Sequence, residues 1–182
     1  MMLTRIGPLM LLLVTLAVTA AGCGKSQSAE EKWANEVCGH VTTWKDSVTT
    51  SVNDIENQVK SPSSASLDSI KSSVSSISDA TSKLASDLKS TGAPNTPAGT
   101  QAKQQLDTFA NQLQTSVESA KKTTSSISTS ASVTETLSTL ASLAPTLQSL
   151  GTTAQTTLKS IQSSASSLKD GFQKADSCKP YR

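Results

Sequence analysis

From Trp33 onward, apolar residues recur at alternating steps of three and four. The first run is Trp33, Val37, Val41, Trp44, Val48, Val52, Ile55 and Val59. A second runs from Leu67 through Ile70, Val74, Ile77 and Leu84 to Leu88, with Thr81 in the one seam position that is not apolar. A third passes from Ala102 through Leu106, Phe109, Leu113 and Val117 to Ile127, with Thr124 at its gap. The fourth begins at Leu137 and Leu140 and continues through Leu147, Ala154, Leu158, Ile161 and Leu168 to Phe172 and Ala175. This period belongs to helices packed at shallow angles, and no stretch shows sustained period-two alternation. The pattern predicts an all-α domain.

Start and stop signals divide it. Ser28 with Glu31, and Ser132 with Glu135, have capping-box spacing, while Ser61-Pro62 and Thr96-Pro97 pair a cap residue with proline at the first helical position. Gly92 reads as a left-handed helix stop ahead of the loop 93–96. Helices are therefore expected near 29–60, 62–91, 97–130 and 133–177, as an up-down-up-down four-helix bundle. At about 1.5 Å per residue the fourth would reach roughly 68 Å, so a kink or break is expected near Pro145 or Gly151.

The first 22 residues differ from the rest. Arg5 is a minimal positive segment, Leu9 to Val18 is apolar apart from Thr15, and Thr19-Ala20-Ala21-Gly22 supplies the small side chains a signal peptidase needs. The apolar run is too short for a membrane span, which takes about 20 residues. The next residue is Cys23. The run Ala20-Ala21-Gly22-Cys23 resembles the lipobox of bacterial lipoproteins, with Ala20 where leucine is usual. The resemblance covers the first 23 residues. It implies a diacylglyceryl group on the Cys23 sulfur and cleavage before Cys23, leaving 23–28 as a lipidated tether and 29–182 as the bundle domain. Acyl chains on Cys23 would anchor the chain stably at a cell membrane, on the extracytoplasmic face.

Export changes the reading of the other two cysteines. Cys38 and Cys178 form an even pair in an oxidising compartment and read as a disulfide. A metal site is disfavoured, because His40 is the one histidine and a fourth ligand is lacking. Topology agrees: an even number of long helices returns the chain to the end where it began, where Cys38 lies.

Composition narrows the function classes. Serine and threonine make up 57 of 182 residues. Each costs a helix up to about 0.5–0.7 kcal/mol relative to alanine, so a bond worth roughly 5 kcal/mol in the chain-entropy model becomes a structural need. A hydroxyl-rich exported chain can also be a disordered or glycosylated stalk, but the sustained apolar period argues for a folded domain. The net charge of +2 is small and scattered, which argues against a nucleic-acid partner.

Candidate chemistry is sparse. His40 has Glu36 one turn away, geometry that a general base and its partner could use but that reads more simply as exposed helix side chains on the flank of the seam. Trp33 and Trp44 share a face with Val37 and Val41; they read as core around Cys38, or else Trp33 touches the membrane interface and Trp44 lines an apolar groove. The tail Lys179-Pro180-Tyr181-Arg182 reads as basic and exposed. Leu137, Leu140, Leu143, Leu147 and Leu150 form the densest leucine run, a lid or a partner-binding tip, with Leu143 and Leu147 as its candidate contacts. The expected function is a non-enzymatic lipoprotein that presents a helical interaction or scaffolding module to an envelope protein. The alternative is a carrier or sensor of an apolar ligand in the bundle core. No cofactor, metal or nucleic acid is expected.

Overall fold

The computed structural model describes residues 26–60, 67–125 and 144–182. The described part is all-α, with no strand in it. Its helices are α1 (Ala29–Lys60), α2 (Leu67–Ser90), α3 (Pro97–Ser125), α4 (Ala144–Ser164) and α5 (Ser166–Lys174), followed by a 3-10 turn, Asp176–Tyr181. Helix α1 packs on α2, α2 on α3, α3 on α4 and α4 on α5, and α5 with the 3-10 turn returns to α1.

Local chemistry explains two of the starts. The Ser28 hydroxyl accepts the Glu31 N–H at 3.1 Å, and its carbonyl takes the Lys32 N–H at 3.0 Å. The first bond satisfies a donor that a helix start leaves without an intrahelical partner, and the second begins the ladder of the helix itself. Thr96 does the same for α3: its hydroxyl accepts the Gly99 N–H at 3.0 Å, with Pro97 as the first helical residue. The Ser61-Pro62 and Ser132–Glu135 signals lie outside the described residues.

The helix ends differ from expectation in two places. Gly92 does not adopt the left-handed conformation. Helix α2 closes instead through Thr91, whose N–H and hydroxyl both donate to the Asp87 carbonyl at 2.9 Å. The expected break in the fourth helix falls at a different place. The helix runs unbroken through Gly151 and stops at Ala165, where the backbone is extended (φ −158°, ψ 148°) before α5 begins. Pro145 sits in the first turn of α4, where a proline removes no intrahelical bond.

The core is concentrated in one half of α1. Trp33, Val37, Cys38, Val41 and Trp44 are buried with Leu84, Leu88, Leu106, Phe109, Leu158 and Phe172. Beyond Trp44 the buried face leaves the apolar pattern: Ser51 is buried whereas Val52 and Ile55 are half-buried. A strict seven-residue step from Val37 through Trp44 lands on Ser51, and helices in mutual contact keep that step even where the side chain is polar.

Hydroxyls settle into this fold by bonding to their own helix. Thr43, Ser47, Thr50, Ser76, Thr108, Thr115 and Thr156 each donate to the carbonyl four residues back, at 2.9–3.1 Å. A hydroxyl that brings its acceptor with it can be covered without leaving a donor unpaired.

Two glycines mark close approaches. A Cβ on Gly99 would lie 2.1 Å from the Pro94 carbonyl oxygen, and one on Gly171 would lie 2.8 Å from backbone and Cβ atoms of Glu30. Gly171 thus lets α5 reach the first turn of α1. Gly171→Ala should destabilise the fold by about 1–3 kcal/mol in denaturant titrations, because backbone cannot yield to the added methyl. Gly151→Ala, in helix α4 with nothing within 4 Å, should be neutral or stabilising by up to about 1 kcal/mol.

Candidate functional site

The densest constellation of chemically distinctive side chains lies where α5 and the 3-10 turn cover α1. Cys38 and Cys178 are bonded there, with Cα atoms 5.1 Å apart and both residues fully buried. The Asn35 side-chain amide oxygen, Oδ1, accepts the Ser177 N–H at 3.1 Å. Arg182 donates through Nε to the Phe172 carbonyl at 3.3 Å and through Nη2 to that of Ala175 at 2.7 Å. A guanidinium at that place satisfies carbonyls that the end of α5 leaves open. The tail is therefore built into the fold, and Tyr181 is buried rather than exposed.

Both tryptophans belong to this core. Trp33, 5 % exposed, meets Phe172 edge to face with ring centroids 5.9 Å apart, and its N–H donates to the Gly92 carbonyl. A side chain so enclosed has no face left for a membrane interface. Trp44, also 5 % exposed, donates its N–H to the Thr81 hydroxyl at 3.0 Å, and that hydroxyl donates to the Ile77 carbonyl at 2.7 Å. Thr81, the polar member of the α2 seam, is thus the acceptor an enclosed indole needs. Trp44 is part of the buried core.

His40 sits at the α1–α2 seam, 30 % exposed. Its Nε2 is 3.9 Å from the Glu36 carboxylate and its Nδ1 3.4 Å from that of Asp87. Lys83 pairs with Asp87 at 2.8 Å. The two carboxylates approach opposite ring nitrogens, so they do not converge on one point where a metal or a reacting atom could sit. Among the described residues, no three His, Cys, Asp or Glu side chains are placed to hold a metal ion. The cluster works as a polar clasp between two helices. Asp87 and Lys83 were missed in the sequence because they come from a second helix, and only packing brings them to His40.

Of the leucine run, Leu137, Leu140 and Leu143 lie outside the described residues, as does the side chain of Leu147. Leu150 is buried in the core. The surface carries an open depression of about 450 Å³ lined by Thr108, Asn111, Gln112, Thr115 and Ser116, all from α3. Among the described residues, no helix is long and apolar enough to cross a membrane.

Tyr181 is the residue here with a clear electrostatic signature. Its burial is the largest influence and raises its pKa; the Thr42 hydroxyl, 3.1 Å away, opposes that, and the charge of Asp46 adds to it. Because the Thr42 hydroxyl already donates to the Cys38 carbonyl at 2.8 Å, the neutral phenol is the partner that donates. On the surface, the Lys179 ammonium bonds to Asp176 and holds that carboxyl below its usual value.

The chain has a single tyrosine, so tyrosinate absorbance reports on Tyr181 alone. The folded pKa lies above the unfolded value of about 10, so the fold binds more protons through that range. The Tyr181 contribution to stability is accordingly complete below about pH 10 and is lost as pH rises through the folded pKa. The titration midpoint of the folded chain should exceed that of the reduced chain in denaturant; an equal or lower midpoint would contradict the burial.

Compared with known proteins, the chain finds no significant match: no family model, no curated protein and no solved structure.

Proposed function

We propose that the chain is a lipoprotein, anchored through acylated Cys23 to the extracytoplasmic face of a cell membrane, whose helical domain serves as a non-enzymatic interaction or scaffolding module. The observation that carries this reading is the run Ala20-Ala21-Gly22-Cys23 directly after a short apolar segment. The buried Cys38–Cys178 bond supports it, because such bonds persist in oxidising compartments. In this reading residues 29–182 form an up-down-up-down four-helix bundle. The circuit of helix contacts that closes from α5 back to α1 supports that arrangement.

The interaction reading is favoured over a carrier of an apolar ligand by the way the core is filled. Trp33, Trp44, Phe109 and Phe172 pack within one buried cluster, and the described surface depression is open and lined by hydroxyls and amides. A carrier would be expected to show an enclosed apolar cavity. The proposed contacts with an envelope protein are Leu143 and Leu147.

Metabolic labelling with a fatty-acid analogue tests the anchor. Wild type should incorporate label and partition with membranes, whereas Cys23→Ser should incorporate none and be released or mis-processed. Equal labelling of the two would overturn the lipoprotein reading.

A further inference from the structure

We infer that α5 and the 3-10 turn form one clip, hinged at Ala165, which reduction of the Cys38–Cys178 bond releases ahead of the other helices. The bonded domain opens as one cooperative unit, and the reduced domain as two. This device belongs to the domain alone and does not depend on acylation of Cys23.

The clip is bonded to itself. The Ala175 N–H donates to the Gly171 carbonyl at 2.9 Å, and the Cys178 N–H to the Ala175 carbonyl at 3.1 Å. Arg182 reaches back from the end of the turn to the Phe172 and Ala175 carbonyls. Helix α4 is finished independently on the other side of the joint. There the Ser163 and Ser164 hydroxyls donate to the Ser160 and Ile161 carbonyls at 2.9 and 2.7 Å. Between the two units lies one extended residue, Ala165. A rotation at that residue moves the clip and leaves the bonds on both sides of it intact.

The clip is held down by apolar contact and by the covalent bond. Leu168, Phe172, Ala175, Cys178 and Tyr181 are buried, and the clip packs on α1 and α4. Polar bonds to α1 come from the Ser177 N–H, on Asn35 Oδ1, and from the Tyr181 phenol, on the Thr42 hydroxyl. Helix α5 has nine residues, and helices shorter than about 12–15 residues are marginal in water by themselves. Once lifted from α1 it melts, whereas α2 and α3, with 24 and 29 residues, still pack on each other. The Trp44–Thr81 bond keeps α2 on α1.

The release is a thiol–disulfide exchange with a dithiol. One thiolate of the dithiol attacks a sulfur of the bond and forms a mixed disulfide, which its second thiol displaces. The dithiol leaves as a disulfide, having supplied two electrons and two protons, and Cys38 and Cys178 are left as thiols. Both cysteines are fully buried and Cys38 is fixed in a long helix, so the attack requires the turn to lift. With the bond cut and the clip raised, Trp33 loses Phe172 and Ala34 loses Cys178. An apolar face of α1 is thereby uncovered under reducing conditions alone.

Hydrogen exchange of the full chain across a denaturant series, unreduced and reduced with dithiothreitol, tests the device. In the unreduced chain, peptides from 166–182, α2 and α3 should lose protection at one denaturant concentration. In the reduced chain, 166–182 should exchange about tenfold faster or more before α2 and α3 change. The double variant Cys38→Ala with Cys178→Ala removes the bond without a reductant and should show the same order of opening. Protection lost in all segments together, in the reduced chain or the double variant, would overturn the inference. So would protection of 166–182 that survives loss of the bond, or separate opening of 166–182 while the bond is intact.

Discussion

The packing of α5 and the 3-10 turn onto the first half of α1, closed by the Cys38–Cys178 bond, is the constraint on which the rest of the molecule depends. The bonded residues are 140 apart in sequence, so one covalent link closes a loop that contains most of the fold. In the chain-entropy model such a closure contributes roughly 5 kcal/mol, comparable to the whole net stability of many domains. Around it the apolar contribution is also concentrated: four of the five aromatic residues, Trp33, Trp44, Phe172 and Tyr181, lie on α1, α5 or the turn, and all are buried. Farther along α1, the seam continues with Ser51 and half-buried valine and isoleucine. One end of this helix is tightly held, and the other relies on small side chains.

Part of the hydroxyl content is tolerated because those side chains bond to the backbone of their own helix. A threonine bonded to the carbonyl four residues back gains little for the helix, yet it hides its donor and can be buried at small cost. Thr81 goes further. It donates to Ile77 and accepts from Trp44, so one hydroxyl satisfies both itself and the indole facing it. Leucine at that position would fill the volume and leave the Trp44 N–H without a partner in the core.

Much of this was legible in the sequence, and the parts that were not share a physical reason. The bounds of α1, the caps at Ser28 and Thr96, the seam positions of α2 and the approach of Cys38 to Cys178 follow from local pattern or from the even number of helices that returns the chain to the end where Cys38 lies. The break at Ala165 does not, because the apolar period of α4 runs on through Leu168 and Phe172 without a proline or glycine at the break. The burial of Ser51 in place of Val52 is likewise set by register between helices rather than by side-chain type. Asp87 beside His40, Thr81 beneath Trp44 and Arg182 over the end of α5 all require tertiary packing to meet. Each pairs residues on different elements, and periodicity within one element carries no information about that.

The central claim is that α5 and the turn are tied to α1. It is tested most directly by proteolytic mapping of the unreduced protein, with free thiols trapped at the moment of lysis. The account predicts that peptides containing Cys38 and Cys178 are recovered as one linked species that separates only on reduction. Recovery of both cysteines as trapped free thiols would contradict it.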